Sequence, residues 1–324
     1  MARFRTRFAH RVAWLVLAML ASVVLAGAAS AAEPAVEPDP ASADPVARGA
    51  YILRAAGCAP CHTDVANGGA FLAGGRMLSS PWGAIAAPNI TPDPETGIGG
   101  WSDEDFIRAL RDGKSPEGRT YYPAFPYTAY SGMRREDMLD LKAYLDAVEP
   151  VVAPNMEHEL RFPFSVRLFL HPWRWLFFER EPVSADPGED ERLARGRYLV
   201  ETLGHCAECH TPRNMLGSLK RGPHLAGSRF GPGGISVPNI TPDRETGIGS
   251  WSEIDLAFFL RTGFTPYGDD VQGEMREAID DGLRHLTQED LEAMAAYLKS
   301  LPAIRNPVSP TPSPPPAISS GGDW

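Results

Sequence analysis

All four cysteines of the 324-residue chain fall in two copies of one short word. Residues 58–62 read Cys-Ala-Pro-Cys-His and residues 206–210 read Cys-Ala-Glu-Cys-His, each followed by Thr. Two thiols separated by two residues reach the two vinyl groups on one edge of a porphyrin, and the adjoining histidine is placed to ligate the iron from the proximal side. A zinc half-site, a redox dithiol or simple disulfides use the same residue types. Two words that exhaust the cysteines, each followed by Thr, favour haem. The expected site is therefore Cys58, Cys61 and His62 for one covalently bound haem c, and Cys206, Cys209 and His210 for a second, with His62 and His210 on the irons.

The segments that must position these words are themselves repeated. Pro88-Asn89-Ile90-Thr91-Pro92-Asp93 recurs as Pro238-Asn239-Ile240-Thr241-Pro242-Asp243, and Trp101-Ser102 recurs as Trp251-Ser252, at an offset of 150. The haem words are offset by 148 and the last helices by 153, so the copies differ by small insertions. The pattern predicts two domains at 46–149 and 189–303, each all-α with little or no sheet. Ala47 to Ala56 and Glu191 to Leu203 read as helices running into the haem words. Ser102 with Asp105, and Ser252 with Asp255, have the spacing of capping boxes. Gly113 and Gly263 mark where those helices stop. Met138, Leu141, Tyr144, Leu145 and Val148 keep one helical face buried, as do Leu291, Met294, Tyr297, Leu298 and Leu301.

Outside the copies, residues 1–32 read as a secretory signal peptide: Arg3, Arg5, Arg7 and Arg11, an apolar run from Val12 to Leu25, then Ala29-Ser30-Ala31-Ala32. A periplasmic protein follows, possible association with the membrane coming through a partner. The balance of 31 basic against 41 acidic side chains gives a net charge of −10. That sign disfavours nucleic acid and anionic membrane as main partners. The join at 150–188 is too aromatic for a free linker, with Phe162-Pro163-Phe164 and Trp173-Arg174-Trp175-Leu176-Phe177-Phe178; it reads as packing between domains or as a docking surface. Residues 304–324 read as a Pro-rich disordered tail.

From residue 46 to about 302 the chain resembles the dihaem cytochrome c family related to the cytochrome subunits of periplasmic alcohol, sugar and sugar-acid dehydrogenases. The resemblance rests on both haem words, both Pro-Asn-Ile-Thr-Pro-Asp stretches, Tyr122-Pro123-Ala124-Phe125-Pro126-Tyr127, and the run from His205 to Asn214. It implies two class I cytochrome c folds in tandem, with first and last helices crossing at Gly49 opposite Tyr144 and at Gly196 opposite Tyr297. It also implies a periplasmic dehydrogenase, as a subunit or redox partner, for the donor of electrons.

The sixth iron ligands are narrowed by what each copy contains. No histidine lies between His62 and His158, which leaves Met77, Met133 and Met138 in the first copy. Met138 belongs to a core face, and the resemblance implies Met133, just ahead of the last helix, with Met77 the alternative. The second copy offers Met215, Met275, Met294, His224 and His285; Gly273-Glu274-Met275 matches the family's Gly-x-Met segment, read here as a loop. His205 stands on the wrong side for its own haem. The Pro88-Asn89 and Pro238-Asn239 loops are candidates to receive the second N–H of the proximal histidines or to contact the haem propionates, and Trp101 and Trp251 to pack on the haems or meet a propionate. His/Met ligation leaves no open iron position, which favours an electron-transfer subunit or carrier over a catalytic chain. The alternative is a dihaem redox enzyme of the peroxidase or thiosulfate dehydrogenase type.

Overall fold

Helix α1 (Pro45–Ala55) opens on Asp44, whose carboxylate accepts the Val46 N–H at 2.9 Å, with Pro in the first turn where no donor is needed. In this computed structural model, which describes Glu33 and residues 36–180 and 188–308, α1 leads into the short α2 (Cys58–His62). Strands β1 (Met77–Ser80) and β2 (Gly83–Ala86) follow. After them come α3 (Asp103–Asp112), α4 (Tyr127–Tyr130) and α5 (Arg135–Ala147). Strand β3 (Glu159–Leu160) and α6 (Leu170–Phe177) lie in the join. The second repeat runs α7 (Glu191–Arg197, continuing as a π-helical turn through Leu203), α8 (Ala207–His210), α9 (Glu253–Thr262), α10 (Glu274–Asp281) and α11 (Gln288–Ser300). The signal-peptide residues 1–32 and the tail beyond residue 308 lie outside the described residues.

Both capping boxes form. The Ser102 hydroxyl accepts the Asp105 N–H at 3.2 Å while Asp105 accepts the Ser102 N–H, and Ser252 with Asp255 repeats this at 3.1 Å. Helices α3 and α9 end on Gly113 and Gly263, both left-handed with φ of 59° and 79°. The first and last helices of each repeat cross where glycine permits contact between backbones. A Cβ on Gly49 would lie 1.9 Å from the Asp140 carbonyl oxygen of α5, and one on Gly196 2.0 Å from that of Ala293 in α11. Tyr144 and Tyr297 face those glycines, their Cβ atoms 2.8 Å from the same points. Beside each glycine an arginine fastens the crossing: Arg48 to Asp140 at 2.6 and 2.7 Å, and Arg195 to Asp290 at 2.8 and 2.6 Å.

The two repeats lock together reciprocally. Tyr51 on α1 donates to Asp290 of α11 at 2.6 Å and accepts the Thr287 N–H at 3.1 Å. Tyr198, the corresponding residue of the second repeat, donates to Asp137 of α5 at 2.6 Å and accepts the Arg134 N–H at 3.2 Å. Each tyrosine thus reaches the N-terminus of the other repeat's last helix, an arrangement of two-fold type within one chain. Burial and the neighbouring carboxylate hold both phenols protonated, well above the ordinary tyrosine value. Replacing Tyr51 with Phe takes a donor from buried Asp290, replacing Tyr198 takes one from half-buried Asp137, and each should cost about 1–3 kcal/mol. Asp290 would keep Arg195, so Tyr198→Phe is expected to lower the denaturant midpoint more than Tyr51→Phe.

The chain is mostly helical, as expected, but the structure adds a small antiparallel sheet of order β1-β2-β3. Met77 pairs with Ala86 and Gly83 with Leu160, so the third strand comes from the join. The third strand can approach because Gly83 has φ of 126° and no side chain; a Cβ there would lie 2.2 Å from the Glu159 carbonyl oxygen. The join packs along the first repeat, with Arg174 bound to the Asp112 carbonyl and Arg167 to that of Thr120, and reaches the second repeat through Trp173 and Glu179. The expected tail boundary at 304 is too early. The Ile304 carbonyl accepts from Asn239 at 2.8 Å and Asn306 donates to the Ala226 carbonyl at 2.8 Å, so ordered chain continues beyond it.

Candidate functional site

Each cysteine word forms a tight helical turn whose histidine is fixed from behind by a carbonyl. His62 Nδ1 lies 2.8 Å from the Pro88 oxygen, and His210 Nδ1 lies 2.8 Å from the Pro238 oxygen. A carbonyl only accepts, so Nδ1 carries the hydrogen and Nε2 presents its lone pair. Loss of water around both rings lowers their pKa, which keeps them in the neutral, ligating form.

Local sequence builds this geometry identically in both repeats. The Thr that follows each word accepts a backbone N–H, Thr63 from Leu72 at 3.1 Å and Thr211 from Leu225 at 2.9 Å. The His62 carbonyl then accepts the Gly74 N–H, and the His210 carbonyl the Gly227 N–H, each at 2.7 Å. Both glycines are left-handed and pressed against the Pro-Asn stretch: a Cβ on Gly74 would lie 2.5 Å from the Pro88 carbonyl carbon, and one on Gly227 2.6 Å from the Asn239 nitrogen. Sequence reasoning missed this pair, although Leu72-Ala73-Gly74 recurs as Leu225-Ala226-Gly227 and would have revealed it. Asn89 and Asn239 do not face the histidines. Each bonds the chain leaving the last helix, at the Val151 and Ile304 carbonyls, both at 2.8 Å.

Burial pushes the Cys58, Cys206 and Cys209 thiols up to about 12 and raises Cys61 as well. Burial favours neutral sulfur at these positions, the state that a thioether supplies. No disulfide joins the four cysteines, and no cluster of three or more His, Cys, Asp or Glu among the described residues could hold a metal ion. Paired neutral sulfurs followed by a histidine with its Nε2 lone pair presented are the donor set that a c-type haem requires.

The expected distal methionines occupy unlike settings. Met133 is fully buried, two residues ahead of α5. Met275 is half-buried in the first turn of α10, a helix where the sequence reading placed a loop. Met77 lies on β1, Met138 and Met294 are core residues of α5 and α11, and Met215 is 91% exposed. His224 bonds Glu201 at 2.9 Å and His285 the Asp280 carbonyl at 3.0 Å. Trp101 and Trp251 pack half-buried on the core. Of the aromatic run in the join, Trp175 projects into solvent at 84% exposure, whereas Phe178 meets Tyr127 edge to face and Trp173 donates to the Leu216 carbonyl at 2.8 Å.

Helices crossing at glycine, each leading into a cysteine-pair turn with a carbonyl-anchored histidine, define a protein built to attach haem covalently. Residues 46–149 match the family described as Cytochrome c. A "Diheme cytochrome c-type" protein of Cereibacter sphaeroides is 44% identical over 267 residues, covering 79% of this chain and 86% of that protein. The fructose dehydrogenase cytochrome subunit of Gluconobacter japonicus is 44% identical over 290 residues, covering 88% of this chain. The gluconate 2-dehydrogenase cytochrome c subunit of Pantoea cypripedii is 42% identical over 266 residues, covering 80%. The chain spans 59% and 60% of the lengths of those two subunits. It belongs to the cytochrome c family, and covalently bound haem c is its cofactor. No helix among the described residues is long and apolar enough to cross a membrane.

Proposed function

We propose that the chain is a two-haem electron-transfer subunit, with class I cytochrome c domains at 46–149 and 189–303, that carries electrons from a periplasmic dehydrogenase toward the respiratory chain. The observation that carries this reading is the duplication of the attachment geometry, His62 on Pro88 and His210 on Pro238, both at 2.8 Å. Bound haem supplies a one-electron iron couple. Cys58 with Cys61, and Cys206 with Cys209, anchor the two groups, while His62 and His210 hold the irons with rings fixed by the proline carbonyls. Met133 and Met275 are the proposed sixth ligands, and full ligation leaves no iron position for a substrate. The leader at 1–32 supports export to the periplasm.

The names of the relatives, fructose and gluconate dehydrogenase cytochrome subunits, support a dehydrogenase as donor. Docking through the join is supported by its exposed apolar side chains, Leu168, Phe169, Trp175 and Leu176, with Leu216 tied in through Trp173. Intact mass of the exported protein should show two haems per chain, and cyanide, peroxide or thiosulfate should leave the absorption bands unchanged. Association with a periplasmic dehydrogenase should survive about 1 M salt, where charges are screened within ~3 Å, and should weaken in Trp175→Ser with haem content intact. One haem per chain, or a band shift with any of the three reagents, would overturn the reading in favour of a single-haem carrier or a redox enzyme.

A further inference from the structure

The residue before each cysteine word takes the left-handed conformation. In the first repeat it is Gly57, with φ of 58°; in the second it is His205, with φ of 38°. Glycine occupies that region freely, while a side-chain-bearing residue pays about 1–2 kcal/mol. The first repeat demonstrates that glycine suffices for the turn, so the imidazole must be held there by something other than backbone need.

What surrounds it belongs to the other repeat. The His205 ring meets Tyr130 edge to face, with centroids 5.6 Å apart. Tyr130 in turn donates to the Ala56 carbonyl at 2.7 Å, so the ring that His205 meets is itself tied to the first attachment turn. The backbones are close as well: a Cβ on Gly204 would lie 3.9 Å from the Ala55 oxygen and 3.6 Å from Cys206 Sγ. Thr128 donates to Glu208 inside the second word at 2.9 Å, which ties the helix that carries Tyr130 to the second attachment turn. From the first repeat's side, Arg76 bonds both the Pro60 carbonyl at 2.6 Å and Glu277 of α10 at 2.7 Å. The two attachment turns are therefore linked through α4 and the Ala55–Gly204 approach, and His205 is the side chain that joins the second turn to that linkage.

We infer that His205 is a positioning residue for electron exchange between the two haems, fixing the second attachment turn against the Ala56–Gly57 turn of the first. This rests on the two-haem reading above. The step it serves moves one electron from the reduced to the oxidised haem, with no bond made or broken and no proton transferred. Tunnelling between fixed centres depends on their separation and orientation, so a brace between the turns acts on rate without touching either iron.

The test compares the full-length wild type, His205→Gly and His205→Asn after haem counting by intact mass. One electron is injected by a flavin flash, and its redistribution between the haems is followed alongside an equilibrium redox titration. His205→Gly should fold with two haems, melt no lower than wild type because left-handed strain is relieved, and keep both potentials. Its redistribution should be several-fold slower, and His205→Asn, which tolerates the left-handed region and keeps a planar polar side chain against Tyr130, should recover part of the loss. A wild-type rate in the two-haem Gly variant would overturn the role of His205, and so would slowing accompanied by a shifted second potential, which would place the effect on its own haem. Fewer than two haems on the wild-type chain would instead overturn the functional reading on which this rests.

Discussion

Gly49→Ala and Gly196→Ala are each expected to lose about 3 kcal/mol or more of stability, a large part of the roughly 5–15 kcal/mol that holds a domain together. The added methyl would fall 1.9 Å from one helix carbonyl and 2.0 Å from the other, and neither contact can be relieved by turning a side chain. The helices would have to part, and α1 and α7 are the elements that deliver the chain to Cys58 and Cys206. Haem-loaded protein should therefore accumulate poorly as well as melt early. Gly118→Ala provides the control. Gly118 has φ of 82° and nothing within 4 Å of the added methyl, so only the conformational cost of about 1–2 kcal/mol applies. Thermal unfolding of the three variants separates the effects. A midpoint for Gly196→Ala no lower than that for Gly118→Ala would remove the close crossing from this account.

The capping boxes and the attachment words were legible in the sequence because each is a local rule written in adjacent residues, whereas the crossing glycines were implied only by the family resemblance. A thioether pair tolerates one spacing, a capping box another, and the Gly113 and Gly263 stops follow from φ alone. The hairpin was not legible: four-residue strands around Ser80-Pro81-Trp82 show no alternation, and the third strand arrives from Glu159, far along the chain. Helix α10 was read as loop because Gly273 and Gly282 leave only eight residues between them, and its place in the first repeat is held by the four-residue α4. The locks between repeats are invisible for a deeper reason. Tyr51 and Asp290 stand 239 positions apart, and nothing near either residue announces the other. For His205 the sequence said only that it stands on the wrong side for its own haem; its left-handed backbone and the proximity of Tyr130 come from the fold. In the aromatic join, composition announced an interface but not its face: Phe178 turned inward onto Tyr127, while Trp175 turned out.

Met133→Leu and Met275→Leu should each lower the potential of one haem while leaving the other in place, because a thioether sulfur on the iron raises the potential. Leucine is the informative substitute. It nearly conserves methionine's volume, so packing alone should cost less than about 1.5 kcal/mol, whereas alanine would open a cavity at the fully buried Met133 and confuse packing with ligation. The asymmetry between the two sites gives the prediction its second edge. Met133 leads directly into α5, whereas Met275 opens a separate helix that packs against α2 and is followed by Leu283–His285 before α11 begins. The second distal segment is thus carried by its own helix and braced by Arg276 to Asp280 at 2.7 Å. Loss of the sulfur at 275 should leave that helix standing, and its redox titration should show one shifted wave with unchanged thermal stability. At 133 the same shift should come with a modest stability loss, since that side chain is also core. Met77 on β1 and the solvent-facing Met215 should be silent as leucine. A shifted wave in Met77→Leu with none in Met133→Leu would move the first distal ligand to the hairpin, and would give the sheet that the first repeat alone possesses a function in place of a merely structural role.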